Sequence, residues 1–109
     1  MFSTYNKFNA GVHMNPHPDK LEKGGEDAFS ISKDGTLLSV ADGVGGWANS
    51  GVDPALYSKR LCSIIDDLHK KHENEEKYKG LPRDILIDAV GINNELGSCT
   101  VCLANMHKE

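Results

Sequence analysis

The chain is organised around the stretch Ala41-Asp42-Gly43-Val44-Gly45-Gly46-Trp47, which follows the apolar run 36–40. The acid stands where a strand should end, so its carboxylate can face a ligand at the rim of a sheet. The glycines let backbone carbonyl and N–H groups approach an ion or a phosphate closely. Most glycine-rich stretches are simple turns, so the interpretation of this one depends on the segment before it.

A second short strand is predicted at 26–32, and Asp34-Gly35 lies between the two apolar runs. Asp-Gly at this place favours a two-residue type I′ turn, in which both residues have positive φ. Because side chains alternate along a strand, the turn also decides which residues share a face. The expected register sets Asp27 opposite Asp42, Phe29 opposite Val40 and Ile31 opposite Leu38, all on one face.

The two opposed acids, Asp27 and Asp42, close the end of this face. Like charges directly opposite each other destabilise a sheet, and a divalent cation such as Mg²⁺ or Mn²⁺ would compensate because it prefers hard oxygen ligands. The alternative is a pair of solvated acids whose repulsion water screens, and spacing alone does not decide between the two. Glu26 points to the other face, so it would act from an outer shell or bond to backbone groups.

Four stretches in order carry a family resemblance: Gly24 to Phe29, Val40 to Trp47, Gly51 to Ala55 and Gly97 to Thr100. Together they resemble the metal-dependent protein serine/threonine phosphatases, the PPM or type 2C family. The resemblance runs from about His13 to Leu103. Within the family, the amino-acid sequences of the second and third stretches are most similar to those of the mitochondrial-type branch.

The resemblance implies a site with two Mg²⁺ or Mn²⁺ ions and a water, held between them, that attacks the phosphorus of a phosphoprotein substrate. By position, Asp42 would bridge both ions and the Gly43 carbonyl would bind one of them. Asp27 would bind metal through water, and Glu26 would support that shell. No catalytic residue is implied beyond these metal ligands.

The chain departs from the family pattern at three points. Val44 stands where many members have a histidine discussed as a general acid. Glu22 stands where many have an arginine that holds the substrate phosphate, and Lys20 and Lys23 are candidate substitutes, although each is more often an ordinary surface lysine. Family domains are well over twice this long, with further metal-binding aspartates in their second half. We therefore expect the N-terminal part of one domain, weakly active or inactive alone; the alternative is a pseudophosphatase or non-catalytic binding fragment.

The predicted fold class is α+β, an antiparallel sheet with two amphipathic helices on one face. The resemblance makes this part of the family's helix–sheet–sheet–helix β-sandwich. Strands and hairpin occupy 8–47, with a weak first strand at 8–16; the helices occupy 53–96 and a last strand 98–104. The first helix should run from Asp53 to about Asn74, and the second from Leu81-Pro82 to Leu96 with Gly97 as its C′ residue. The expected inner stripes are Tyr57, Leu61, Ile64, Ile65 and Leu68, then Ile85, Leu86, Ala89 and Val90. The sheet face with Phe29, Ile31, Leu38 and Val40 has nothing in this chain to pack on.

Composition narrows the partners and the compartment. The net charge is −4 and no basic stripe is visible, which argues against nucleic acid as a partner. No apolar run approaches a membrane span, and the first residues lack the apolar core of a secretory signal. Three cysteines are an odd number, which argues against a disulfide framework and suits a reducing compartment. We expect an intracellular protein, cytoplasmic or mitochondrial, although the absence of arginine at the start weakens a mitochondrial presequence.

The segment 69–79 is nearly all polar and is predicted to be a solvated helix end and linker.

Overall fold

The computed structural model describes residues 7–23, 25–78 and 81–106, apart from the side chains of residues 21–23. Three strands, β1 (Asp27–Ile31), β2 (Leu37–Gly43) and β3 (Cys99–Asn105), form one antiparallel sheet in the order β1-β2-β3. Two α-helices, α1 (Pro54–Lys71) and α2 (Pro82–Ile92), connect β2 to β3. Short 3-10 helices lie at Pro18–Lys23 and Gly45–Ser50. The α+β class and the antiparallel sheet are as predicted.

Helix α1 begins where its sequence predicts. Asp53 is the N-cap, and its carboxylate accepts a hydrogen bond from the Ala55 N–H at 3.0 Å. Pro54 follows at the first helical position, where its missing N–H costs nothing. The helix ends at Lys71, a few residues before the expected Asn74.

The inner face of the sheet packs on both helices. Leu37 of β2 lies in one buried cluster with three residues of α1 and two of α2: Leu61, Ile64, Ile65, Ile85 and Ala89. A smaller cluster joins Ala28, Ala41 and Cys62. Leu86 is half-buried as part of the predicted stripe, but Val90 is 47% exposed and does not belong to it. One face of the sheet is therefore a closed apolar core.

The outer face of the sheet is open. Phe29 and Ile31 are 40% and 39% exposed, and Val40 is 55% exposed. Cys102 also lies on this face and is exposed, whereas Cys99 faces the core side and is half-buried. The prediction of an uncovered apolar face is confirmed for the residues that the structure describes. No helix in that part of the chain is long and apolar enough to cross a membrane.

The hairpin has the predicted register but a different turn. Asp27 pairs with Asp42 and Ile31 with Leu38. Gly35 has φ 74°, but no described non-glycine residue has positive φ, so the turn is not type I′. The Gly35 N–H donates to the Ser32 carbonyl at 3.0 Å, and the Asp34 carboxylate accepts a hydrogen bond from the Thr36 N–H at 3.1 Å. The Asp34 side chain thus stabilises a longer loop that leaves the strand register unchanged.

Two predictions, one for the start of the chain and one for the end of α2, are wrong. Residues 8–16 form no strand, because they pair with none of the three strands of the sheet. Helix α2 ends at Ile92 with Asn93 as its C-cap, and the Asn93 side-chain amide donates to the Tyr57 carbonyl at 3.2 Å. Gly97 is therefore not a C′ residue; it lies against the side chain of Tyr57.

The polar segment 69–79 is not simply a solvated linker. His69 is buried, with its Nε2 3.0 Å from Thr36 Oγ1 and 3.1 Å from Asp34 Oδ1. Tyr78 is buried as well, and its hydroxyl donates to the Asp88 carboxylate at 2.5 Å. The segment therefore ties the end of α1 to the hairpin turn and to α2.

Tyr78 makes stability sensitive to alkaline pH. Burial is the main cause that raises the pKa of Tyr78. The hydrogen bond to Asp88 and the negative charge of Asp88 raise it further, to about 12 from 10.0. Because the folded-state pKa of Tyr78 lies above the unfolded value, the contribution of Tyr78 to stability is intact below about pH 10 and is lost as pH rises towards 12. We expect Tyr78→Phe to cost about 1 kcal/mol at pH 8 and to flatten the loss of stability above pH 10. Urea unfolding of both proteins at pH 8 to 11.5 measures this; parallel curves for the two proteins would contradict it.

Candidate metal centre

The end of the β1–β2 hairpin brings the two predicted carboxylates together. Asp27 and Asp42 are direct cross-strand partners on the same face of the sheet, and both are exposed. Partial desolvation is the main cause that raises the pKa of Asp27. Hydrogen bonding with Asp42 and the negative charge of Asp42 raise this pKa further, and the positive charge of Lys20 opposes the shift. The sheet therefore holds two acids opposite each other, where a bound proton or cation would lower their mutual repulsion.

The donor set fits part of a divalent cation site. Mg²⁺ keeps several waters and is often held by one or two carboxylates, which Asp27 and Asp42 can supply. Among residues 7–23, 25–78 and 81–106 no group of three or more His, Cys, Asp or Glu side chains is placed to hold a metal. The pair of carboxylates and the adjacent Gly43 carbonyl thus offer hard oxygen donors without a complete protein cage.

Gly43 is held in place by the first turn of α1. Its N–H donates to the Glu26 carbonyl at 3.0 Å, and that carbonyl also accepts from the buried Ser58 hydroxyl at 2.8 Å. A Cβ at position 43 would collide with the Pro54 carbonyl oxygen and lie 3.0 Å from that of Glu26. Only glycine fits between these two carbonyls. Sequence reasoning missed Ser58; the available signal was a polar residue within the apolar stripe of the helix.

The glycine-rich segment after β2 is tied to the start of β3. The Val44 N–H donates to the Ser98 carbonyl at 3.0 Å, and the Trp47 indole Nε1–H donates to the Ser98 hydroxyl at 2.8 Å. Sequence reasoning placed Trp47 and Ser98 in family-like stretches but gave neither a role. Their contact joins residues far apart in the chain, so only the fold reveals it.

The residues predicted to lie around the metal and phosphate are placed as follows. The Glu26 carboxylate pairs with the Lys20 ammonium, and both groups lie against the backbone of Gly45. Lys20 thus reaches the predicted region but already has an anionic partner there. The side chain of Lys23 lies outside the described residues.

A groove runs beside the carboxylate pair, between β1 and α1. Its volume is about 390 Å³, and its lining includes Asp27, Phe29, Ile31, Lys59 and Asp66. The groove is open to solvent and carries both apolar and charged side chains. It therefore adjoins the candidate metal centre along the free edge of the sheet.

Comparisons with known proteins identify relatives of this chain. The chain is 39% identical over 105 residues to "Probable protein phosphatase 2C 26" of Arabidopsis thaliana, covering 92% of this chain and 33% of that protein. It is 40% identical over 99 residues to "Probable protein phosphatase 2C 1" of Oryza sativa subsp. japonica, covering 90% and 29%. No family model matches the chain.

A solved structure agrees with these sequence matches. The X-ray structure of the photosystem II phosphatase PBCP matches with a TM-score of 0.74 and 40% identity, over 85% of this chain and 36% of that one. Over most of its length the chain is therefore similar to proteins of the protein phosphatase 2C, or PPM, family. It spans about a third of the length of the curated relatives it matches.

The close fit at Gly43 predicts an intolerant position at the centre of the site. Gly43→Ala should cost about 1–3 kcal/mol of unfolding free energy, because the methyl group must push Pro54 or Glu26 aside. Gly46→Ala is the matched control; nothing lies within 4 Å of a Cβ there, and its φ is not positive. Thermal or urea unfolding compares the two. Equal stabilities would show that α1 does not constrain position 43.

Proposed function

We propose that this chain forms part of a metal-dependent protein serine/threonine phosphatase, which hydrolyses phosphate monoesters on phosphoproteins. The observation that carries the proposal is the pair Asp27 and Asp42, facing each other at the end of the hairpin. Chemistry alone would allow other cation sites. The identity of about 40% to proteins named protein phosphatase 2C favours this one.

The proposed roles are those that the family resemblance implies for these positions. Asp42 and the Gly43 carbonyl would hold the metal directly, Asp27 would act through a bound water, and Glu26 would support that shell from its pair with Lys20. When bound, two Mg²⁺ or Mn²⁺ ions would activate water and neutralise the phosphoryl oxygens. The chain's own part is to hold the oxygen donors in register at the edge of the sheet.

Lys20 and Lys23 are proposed contacts of the substrate phosphate. At Lys20, the substrate phosphate and the Glu26 carboxylate would both bind the ammonium group, because the Lys20 ammonium is paired with the Glu26 carboxylate in the structure. An ammonium has three donors, so one bond to a carboxylate leaves capacity for a phosphoryl oxygen. The 3-10 helix that carries both lysines ends just before β1, on the side of the carboxylate pair.

We further propose that residues beyond these 109 complete the metal centre in the whole protein. Two observations support this: the chain spans about a third of its relatives, and its described residues contain no three-ligand cluster. The exposed face around Phe29 and Val40 is also suited to the second sheet of the family sandwich. From the sequences of the second and third motifs, we also propose kinship with the mitochondrial-type branch of the family. From the cysteine content, we propose a cytoplasmic or mitochondrial location.

A non-catalytic binding fragment is the second candidate function. The observation that favours it is again the incomplete ligand set among the described residues, together with Val44 in place of the family's histidine. The two candidates share the fold and differ in metal binding and turnover, which the next experiments separate.

We expect weak but measurable Mn²⁺ binding that depends on Asp42. Asp42→Asn removes one negative charge and one strong donor from the pair, so its Mn²⁺ affinity should fall about tenfold or more. Isothermal titration calorimetry of wild type and variant measures this. Asp67→Asn, an exposed carboxylate on α1, is the control for overall charge and should titrate like wild type. Identical titrations of wild type and Asp42→Asn would reject Asp42 as a ligand.

We expect the isolated 109-residue chain to hydrolyse p-nitrophenyl phosphate or phosphopeptides poorly. Losing one preorganised electrostatic contact costs about 10²–10³ in rate, and an incomplete ligand set should cost at least that much. Turnover with Mn²⁺ is compared with that of a full-length relative such as protein phosphatase 2C 26. Comparable rates would show that this third of the protein carries all essential groups.

A further inference from the structure

Ser98 closes the glycine-rich turn at two points. Its carbonyl accepts the Val44 N–H at 3.0 Å, directly after the end of β2, and its hydroxyl accepts the Trp47 indole N–H at 2.8 Å. Trp47 is in turn bonded to both sides of the turn through its backbone. Its N–H donates to the Val44 carbonyl at 3.3 Å, and its carbonyl accepts from the Val52 N–H at 3.1 Å. One serine thus anchors the segment that follows the candidate metal ligands.

The bond from Val44 decides the direction of the Gly43 carbonyl. No described peptide bond is cis, and in a planar trans peptide the C=O and the following N–H point in opposite directions. The N–H of Val44 points to Ser98 on the β3 side, so the carbonyl of Gly43 points away from β3. The Gly43 N–H, bonded to Glu26, points the same way. The candidate ligand oxygen therefore lies on the side of β1, which carries Asp27.

The side-chain contact is what secures this arrangement. Val44 is 43% exposed and a Cβ at Gly46 would meet nothing within 4 Å, so packing restrains these two positions little. Trp47 and Ser98 are both half-buried, which shelters their hydrogen bond from water. Without the hydroxyl, the segment after β2 would keep the pairing of Gly43 with Cys99 and the Val44–Ser98 backbone bond, but it would lose its side-chain bond to Ser98.

We propose that Ser98 is a positioning residue of the candidate metal centre, which acts through Trp47 and Val44 to aim the Gly43 carbonyl at the site. This rests on the proposed function, because it assigns the Gly43 oxygen to a divalent cation. It adds a residue whose side chain is itself no ligand. The predicted consequence is that removing the Ser98 hydroxyl weakens Mn²⁺ binding without removing a donor.

Ser98→Ala tests the proposal in the 109-residue chain. Amide hydrogen exchange at Val44 should accelerate about fivefold, as expected for the loss of one hydrogen bond that restrains the turn. Mn²⁺ affinity by calorimetry should fall about tenfold, the lower end of the effect of residues that orient metal ligands. Ser98→Thr keeps the hydroxyl and should stay within about twofold of wild type. Ser50→Ala, an exposed serine in the same segment, is the matched control and should change neither quantity.

A second variant separates positioning from a general loss of structure. Trp47→Phe keeps an aromatic ring but removes the donor, so the double variant with Ser98→Ala should bind Mn²⁺ no more weakly than the worse single variant. Additive losses, or wild-type Mn²⁺ affinity in Ser98→Ala, would overturn the proposal while wild type still binds metal through Asp42. If wild type and Asp42→Asn titrate alike, the proposed function fails and this inference fails with it.

Discussion

The structure depends on one shared acceptor, the carbonyl oxygen of Glu26. It receives the N–H of Gly43 from the end of β2 and the hydroxyl of Ser58 from α1. A carbonyl with two donors joins the residue before β1, the end of β2 and the long helix at a single point. Since a slip of one residue would turn every side chain of a strand to the opposite face, this junction also keeps Asp27 and Asp42 on the same side.

The opposite end of the hairpin is fixed by different chemistry. Asp34 and Thr36 bond to the buried His69 near the end of α1. The hairpin between these two ends has an apolar inner face, on which α1 packs, and an exposed outer face. The site is thus built at the end of a hairpin whose position is fixed by hydrogen bonds at both ends and by apolar packing along its length.

Much of this could be predicted from sequence because the relevant signals are local. Alternation and the Asp34-Gly35 pair gave the register of the acids, and Asp53-Pro54 gave the start of α1. The turn type was wrong because the Asp34 side chain can bond to Thr36, an option that a dipeptide rule ignores. Residues 8–16 were misread as a strand because alternation does not reveal whether a partner edge is available.

The parts that could not be predicted involve contacts between distant segments. Ser58, His69 and Tyr78 are buried and Ser98 is half-buried, and this is evident only once the helices and strands are assembled. In sequence they resemble surface residues, and the rule that polar stretches are solvated assigned 69–79 to the linker. Buried polar groups must find partners, but the sequence does not name them.

Helix α1 has 18 residues, which at 1.5 Å per residue is a rod about 27 Å long. Ser58 near its first turn contacts the end of the hairpin that carries the acids, and His69 near its last turn contacts the loop at the other end. The helix therefore supports the hairpin along its length, with a hydrogen bond to each end. Bending or shearing the two strands against each other would require breaking hydrogen bonds at both ends of the rod, so a force applied at the loop is transmitted to the carboxylates as a movement of the whole unit.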